Sequence, residues 1–487
     1  MSKHSKALVV AWVAITLFVN VDTLHGEQEK AAKWPLHIQC VLDETEPLKY
    51  DRGNRLPLYL WNAMDPGTLD DEAAVQLLRT LNERGVGLIS SWNPGKQEES
   101  LIDSLAIAKA QKQLGLRVNI NATRCLYSFF NGDERTAHVD DDGKPFWDES
   151  FGKKKMGCPF AIDFRRAFIR EQVEYFIRAF KKAKLEVDFI FADWEIDGPI
   201  EFNEAHAASK RCRRCRRNIR DIDDFGEFQR VLRKLRSELQ REVYAEPMKD
   251  SFPDVLVGNY GVYPHNGYRY WYDYYERYVD GQPCKTDQKA RYRCWYHEFP
   301  ETGYTFAMPV AYTWRRIFDW YDYGVSDYRW FYNMLLVASN AGQNTAAEIP
   351  IISFVHWHTI ETRPPGEAVP QLSETMYQEL LWHMLLRGTD TFFVWSPRQQ
   401  APKEIRLVHQ VYAEAQRYGE FLSGGRPITF AVPKQPGPVI SGLRLNDRLL
   451  IRRTDFGKTD EPVRINVDDK IIEVGIAPGE CQILSIR

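Results

Sequence analysis

Eight short runs rich in β-branched and aromatic residues recur between residues 56 and 396, separated by longer amphipathic segments, and this alternation restricts the chain to very few folds. The runs are LPLYLWN (56–62), VGLISSW (86–92), RVNINAT (117–123), FIFADWE (189–195), DVLVGNYG (254–261), FAMPVAYT (306–313), IPIISFVHW (349–357) and DTFFVWS (390–396). Helical patterns such as DEAAVQLLRTLNERG and SETMYQELLWHMLLRG lie between them, with Ser or Asp at their starts and Gly at their ends. The helix after the fifth run is the weakest. Strands joined by helical crossovers pair in parallel, and eight such units close into an α/β fold of the (β/α)8 TIM-barrel type. A doubly wound sheet is the alternative, but it would place a glycine-rich phosphate loop after the first strand, where this chain reads WNAMDPGTLDD. Beyond residue 425 the pattern changes to short alternating strands, RLLIRRTDF, VRINVDD, KIIEVGIA and CQILSIR, which suggest a small C-terminal β-sandwich. The expected organisation is a signal peptide over 1–26, an N-terminal extension over 27–55, a barrel over 56–424 and the sandwich over 425–487.

Lys3 and Lys6 precede the uncharged run ALVVAWVAITLFVNV (7–21), which has the length of a signal-peptide core and is short for a membrane span. A secreted or periplasmic protein is therefore expected, without stable membrane insertion once the signal is removed. A net charge of −3 offers no general attraction for nucleic acid. Aromatics reach 13%, and the cluster YRYWYDYYERY (268–278) suggests a groove walled by rings.

The chain has eight Cys, of which Cys284 and Cys294 flank a polar segment and form the plausible local disulfide. RCRRCRR (211–217) holds one C-x-x-C. A structural zinc site needs four ligands, and no second Cys/His pair has matching spacing, so a disulfide or free thiols are expected there and no metal or cofactor is assigned. Its arginines form either a solvated loop or a basic patch for an anionic polymer.

Catalytic side chains of such barrels sit at the C-terminal ends of the strands. FIFADWEIDGP (189–199) ends there in Asp193, Glu195 and Asp197, spaced two apart, so Asp193 and Glu195 continue the face of Phe189 and Phe191. Neighbouring carboxylates beside aromatic rings disfavour full ionisation, which suits one of them to act as a general acid. The other strand ends carry Trp61, Asn62, Trp92, Tyr260, Tyr312, His356, His358 and Trp395. Rings stack on the apolar faces of sugars while hydroxyls, amides and acids bind their polar edges, so a polysaccharide or oligosaccharide is the expected partner. His356 and His358 have a spacing compatible with metal, but no third ligand is evident.

The blocks LYLWNA (58–63), FADWE (191–195), GNYGVYP (258–264), MPVAYT (308–313) and LSETMYQELLWHMLLRGTDTFFVWS (372–396) resemble, in order, those of the hyaluronidase family of glycoside hydrolases. That resemblance implies cleavage at an N-acetylhexosamine by a retaining, substrate-assisted route. Glu195 matches the proton donor and Asp193 the carboxylate that steadies the substrate's acetamido group; Tyr260 and Tyr312 match hydroxyls around the reacting sugar and Trp395 the floor beneath it. Departures from the family are IDGP after the acids, FVHWHTIE at the seventh strand, and a β-sandwich in place of the family's EGF-like module. Two other readings stand beside this one: a retaining glycosidase with Glu361 as a protein nucleophile, and a non-catalytic polysaccharide-binding protein.

Overall fold

The structure, a computed structural model, describes residues 34–61, 71–127, 131–149, 154–194, 205–269, 278–279, 282–283, 293–294, 296–312, 315–316, 326–358, 361–362, 371–457 and 461–486. Eight parallel strands form the barrel: β1 (Leu58–Leu60), β2 (Val86–Gly87, continuing as Ile89–Ser91), β3 (Asn119–Asn121), β4 (Phe189–Ala192), β5 (Leu256–Asn259), β6 (Val310–Tyr312), β7 (Ile352–His356) and β8 (Thr391–Val394). Hydrogen-bonded neighbours run β6-β7-β8-β1-β2 and β3-β4-β5, with the second segment of β2 pairing on to β3. The ring closes between β5 and β6. Thr305 donates its N–H to Val257 O (2.9 Å), its hydroxyl accepts from Val257 N (2.8 Å), and Met308 N–H reaches Val262 O (3.0 Å).

The strands sort their side chains by parity. Tyr59, Ile89, Phe189, Phe191, Phe306, Val310, Ile352, Phe354 and Phe393 fill the interior as one cluster, while Leu58, Leu60, Ile190, Ala192, Val257 and Val355 face the surrounding helices. Tyr59 stacks on Phe189 at 4.3 Å between ring centroids, and Phe191 meets Phe393 at 4.4 Å. These rings fill the barrel, while others such as Trp92, Phe176, Trp330 and Phe331 pack in the helix layer. Space is tight enough that a Cβ on Gly258 of β5 would sit 2.6 Å from the Phe306 ring.

Helices α1 (Leu36–Glu44), α2 (Asp71–Glu83), α3 (Gln97–Gln113), α4 (Asp163–Lys182), α5 (His206–Arg211), α6 (Arg213–Asn218), α7 (Phe225–Gln240), α8 (Ser326–Asn344), α9 (Glu374–Leu385) and α10 (Ala401–Ala415) pack outside or follow the strands. Four of these were not expected: α1, α10, and the short α5 and α6, which replace the solvated loop expected at RCRRCRR and bury Cys212 and Cys215. Helix α1 lies within the supposed extension, buries Ile38, Cys40 and Val41, and packs against α10. Helix α10 begins at Gln400 with no side-chain cap, although Pro402 and Glu404 in its first turn are helix-start signals. Between β5 and β6 the only helix among the described residues is the single turn Phe299–Thr302.

The C-terminal strands are antiparallel. Arg426–Pro427, β9 (Pro438–Leu445), β10 (Arg448–Asp455) and β13 (Cys481–Ser485) form one sheet, and β11 (Val463–Val467) with β12 (Lys470–Val474) forms a hairpin that packs on it through Ile440, Leu449, Ile451, Val467 and Val474. Helix α9 joins this unit to the barrel. His383 bonds Ser441 Oγ (2.7 Å) and Thr454 Oγ1 (3.0 Å), and buried Arg387 donates to Ser441, Ser339 and two backbone carbonyls. The expected signal peptide lies outside the described residues, in which no helix is long and apolar enough to cross a membrane.

Candidate functional site

The end of β4 is held from behind. Residues 190, 192 and 194 face outward, and the Trp194 ring is fully buried in the outer layer, so the same parity carries Asp193 to the inner side. Asp193 is buried, 5% exposed, and its N–H is donated to Thr123 Oγ1 at 2.8 Å. The next peptide is gripped at both ends. Asn259 Oδ1 accepts the Trp194 N–H (2.8 Å), while Asn259 Nδ2 (3.1 Å) and Arg236 Nη2 (2.6 Å) donate to Trp194 O. Arg236 is in turn paired with buried Glu298 at 2.9 Å, and Gln240 Oε1 accepts from Asn259 Nδ2 and the Tyr304 hydroxyl at 3.1 and 2.7 Å. Arg236 and Gln240 stand four apart on α7, on one helix face.

Around the same mouth, parity brings five of the expected residues inward. Tyr260 and Tyr312 stand 6.1 Å apart, Tyr312 stacks on Trp395 at 6.0 Å, and His356 meets Trp395 edge-on at 4.6 Å. Trp61 is in edge contact with Phe191 and Phe354. Tyr260 and Trp395 are partly exposed, whereas Trp61, Tyr312 and His356 are buried. His356 Nδ1 lies 2.9 Å from Trp395 O and 3.3 Å from Glu404 Oε2, two acceptors that call for a proton on that nitrogen. His358 is half-buried, and burial followed by the nearby His356 holds its imidazole below the ordinary value.

Other expected residues fall elsewhere. Trp92 has the outward parity after Ile89 and is fully buried, stacked on Phe176 at 5.3 Å and edge-on to Phe180, with no face open to a sugar. Asn62, Glu195 and Asp197 lie outside the described residues, as do Cys284 of the expected disulfide and most of the 268–278 aromatic cluster. Glu361 begins a two-residue parallel pairing with Arg315–Arg316 beyond the end of β7. A cavity of about 730 Å³ lined by Arg52, Arg55, Arg117, Asp254 and Asp390 opens at the opposite, N-terminal end of the strands, away from the face where barrel chemistry resides.

A second constellation was missed by sequence reasoning. Cys212 and Cys215 of the C-x-x-C meet His138 and Cys158, all four buried, with the ligand atoms within 4.8 Å of one another. His138 and Cys158 come from the long segment between β3 and α4, and no local spacing links them to residue 212. Only the fold pairs them.

No family model matches the chain, and no curated protein matches it. Similarity is found to solved structures. These include the GH36 α-galactosidase AgaA from Geobacillus stearothermophilus (10% identity, 92% of this chain and 57% of that one, TM-score 0.44) and α-L-fucosidase isoenzyme 1 from Paenibacillus thiaminolyticus (10%, 88% and 86%, 0.35). Isomaltulose synthase PalI from Klebsiella sp. LX3 is a third (10%, 88% and 97%, 0.36). The chain spans little more than half the length of the α-galactosidase. None of these three is a hyaluronidase, and the barrel assignment rests on the strand order itself.

Proposed function

We propose that this chain is a secreted glycoside hydrolase acting on a polysaccharide at the C-terminal mouth of its barrel. One observation carries the reading: Tyr260, Tyr312 and Trp395 form an aromatic rim, two of them partly open, on the same inward parity as an acid fixed at the end of β4. A rigid aromatic surface beside a positioned carboxylate is what binding and protonating a glycosidic bond requires.

In the finer form of this proposal the bond cleaved is that of an N-acetylhexosamine. Glu195, two residues beyond Asp193, gives its proton to the leaving oxygen as the substrate's acetamido oxygen attacks the anomeric carbon. Asp193 accepts the acetamido N–H and steadies the oxazolinium-like charge. Glu195, now a carboxylate, takes a proton from the incoming water, which opens the intermediate with overall retention. This route needs no carboxylate nucleophile on the protein and so departs from the usual pair.

The test is a screen of N-acetylhexosamine-containing and sulfated polysaccharides for new reducing ends, with the Glu195→Gln protein as control. Turnover by the native chain, lost in the variant while polymer binding persists, is expected. Undiminished turnover by Glu195→Gln would dispose of the assignment, and binding without turnover by the native chain would leave a polysaccharide-binding protein. Inhibition by a thiazoline mimic of the intermediate separates the acetamido route from one using Glu361.

A further inference from the structure

We infer that His138, Cys158, Cys212 and Cys215 bind one zinc ion, which ties together the loops that follow β3 and β4 beside the barrel mouth. The donor set, three thiols and one imidazole, is complete for a closed tetrahedral structural site. Its dimensions agree. Zinc–sulfur bonds of ~2.3 Å place tetrahedral sulfurs ~3.8 Å apart. Here Cys158 and Cys215 Sγ are 3.5 Å apart, Cys158 and Cys212 Sγ 3.9 Å, and Cys215 Sγ lies 3.9 Å from His138 Nδ1. A disulfide would need about 2.05 Å, and a third thiol would still be left in the cluster.

The surroundings suit a metal better than three free thiols. Phe146, Phe160, Ala161 and Ile222 close an apolar shell around the sulfurs, excluding water and competing ligands. Zinc with three thiolates and a neutral imidazole carries a net charge of −1, and Arg211, Arg213, Arg214, Arg216 and Arg217 surround it in sequence, most of them exposed. Two of these arginines put positive charge beside the cluster, Arg211 over the Phe146 ring that stacks on His138 and Arg214 donating to Ala137 O, while Arg216 pairs with Asp141. Backbone geometry is committed to the same end. Cys212 lies at the junction of α5 and α6, which puts both its own thiol and that of Cys215 on one side of the turn, and the Cys158 N–H bonds Thr136 O at 2.6 Å. That approach requires Gly157, where a Cβ would come 2.3 Å from the same carbonyl.

The consequence for the mouth is structural. The ion would be coordinated from the segments on either side of α4, and the second of them, residues 205–219, is the chain's return from the β4 acids. No element beyond these four side chains is needed to hold it.

The full chain, purified without a metal-binding tag or added metal, should contain about one zinc per molecule by plasma mass spectrometry. A mercurial should release that zinc to a chromogenic chelator, and X-ray absorption should show three sulfurs and one nitrogen around it. Cys215→Ser and His138→Ala should lose most of the metal, whereas Cys40→Ser, which alters a buried thiol in α1, should keep it. Should the site variants fail to fold, the native chain alone decides. A metal-free, folded protein, an intact mass two hydrogens light from a disulfide among these cysteines, or iron in place of zinc would each overturn the inference.

Discussion

Asn259 satisfies both backbone polar groups of Trp194, accepting its N–H at 2.8 Å and donating to its carbonyl at 3.1 Å, and so fastens the end of β4 to the end of β5. The side chain has the outward parity and also bonds Gln240; it sets where the backbone carrying Asp193 leaves the barrel. Asn259→Ala would strand a buried N–H and cost about 1–3 kcal/mol. With the proposed activity, kcat should fall more than KM rises, because polymer contacts survive while the carboxylates lose their register. Urea unfolding and steady-state kinetics on the same preparations measure the two effects; a loss confined to stability would reduce Asn259 to a scaffold role.

Trp395 provides a partly open ring of the rim, stacked on Tyr312 at 6.0 Å and meeting His356 at 4.6 Å. Removing the ring withdraws an apolar surface worth about 1.5–3 kcal/mol when covered, roughly ten- to a hundredfold in kcat/KM. Trp395→Phe should recover part of that loss and Trp395→Ala none of it. Equal activity of both variants and the native chain on the polymer it cleaves would place the substrate elsewhere.

The strands, their order of appearance and the parity of most mouth residues were legible because a buried strand writes its two faces into alternate positions. Phe189, Phe191 and Asp193 share one face, with Ile190, Ala192 and Trp194 on the other, and the period of two is visible without coordinates. The same rule, applied to Ile89, would have sent Trp92 outward; counting it as a rim residue weighed its type above its parity. Helix α1 precedes the repeating units and has neither a capping side chain nor an acid in its first turn, whereas α10 carries Pro402 and Glu404 in its first turn and was legible though unread. The Cys158–Cys212 contact joins two loops across a whole helix, and long-range proximity of that kind has no local signature.

His383 should make the protein sensitive to mild acid. Its ring is fully buried between Ser441 and Thr454, and burial, reinforced by Arg387 and Arg452, holds its pKa well below the ordinary 6.5. Above pH 6.5 the ring is neutral in both folded and unfolded chains, and its linkage contribution is complete. As pH falls below that value the unfolded chain gains a proton that the folded chain refuses, and stability drops by about 1.4 kcal/mol per pH unit for one such group. His37 and His409, also lowered chiefly by burial, add in the same direction. Urea midpoints at pH 7.5 and 5.5 should therefore separate, and His383→Gln, less stable at the higher pH, should show a smaller separation. An unchanged slope in the variant would mean that His383 takes up its proton in the folded state.

The junction between barrel and C-terminal sheet turns on one buried ion pair. Arg452 of β10 presents Nε and Nη2 to the two oxygens of Glu379 on α9 at 2.8 and 2.6 Å, both side chains nearly inaccessible, while Thr454 donates a third bond to the carboxylate. Burying two charges is costly, and mutual neutralisation mainly offsets that cost instead of adding stability. Removing one partner is a different matter. Glu379→Gln leaves the guanidinium buried against the Trp382 ring without its counter-charge and should destabilise by about 3–5 kcal/mol. Glu379→Leu combined with Arg452→Met removes both charges and keeps the volume, so it should recover most of the loss. A double-mutant cycle in urea measures the coupling directly; a single-variant cost of only about 0–1 kcal/mol, typical of exposed pairs, would show that water reaches the junction.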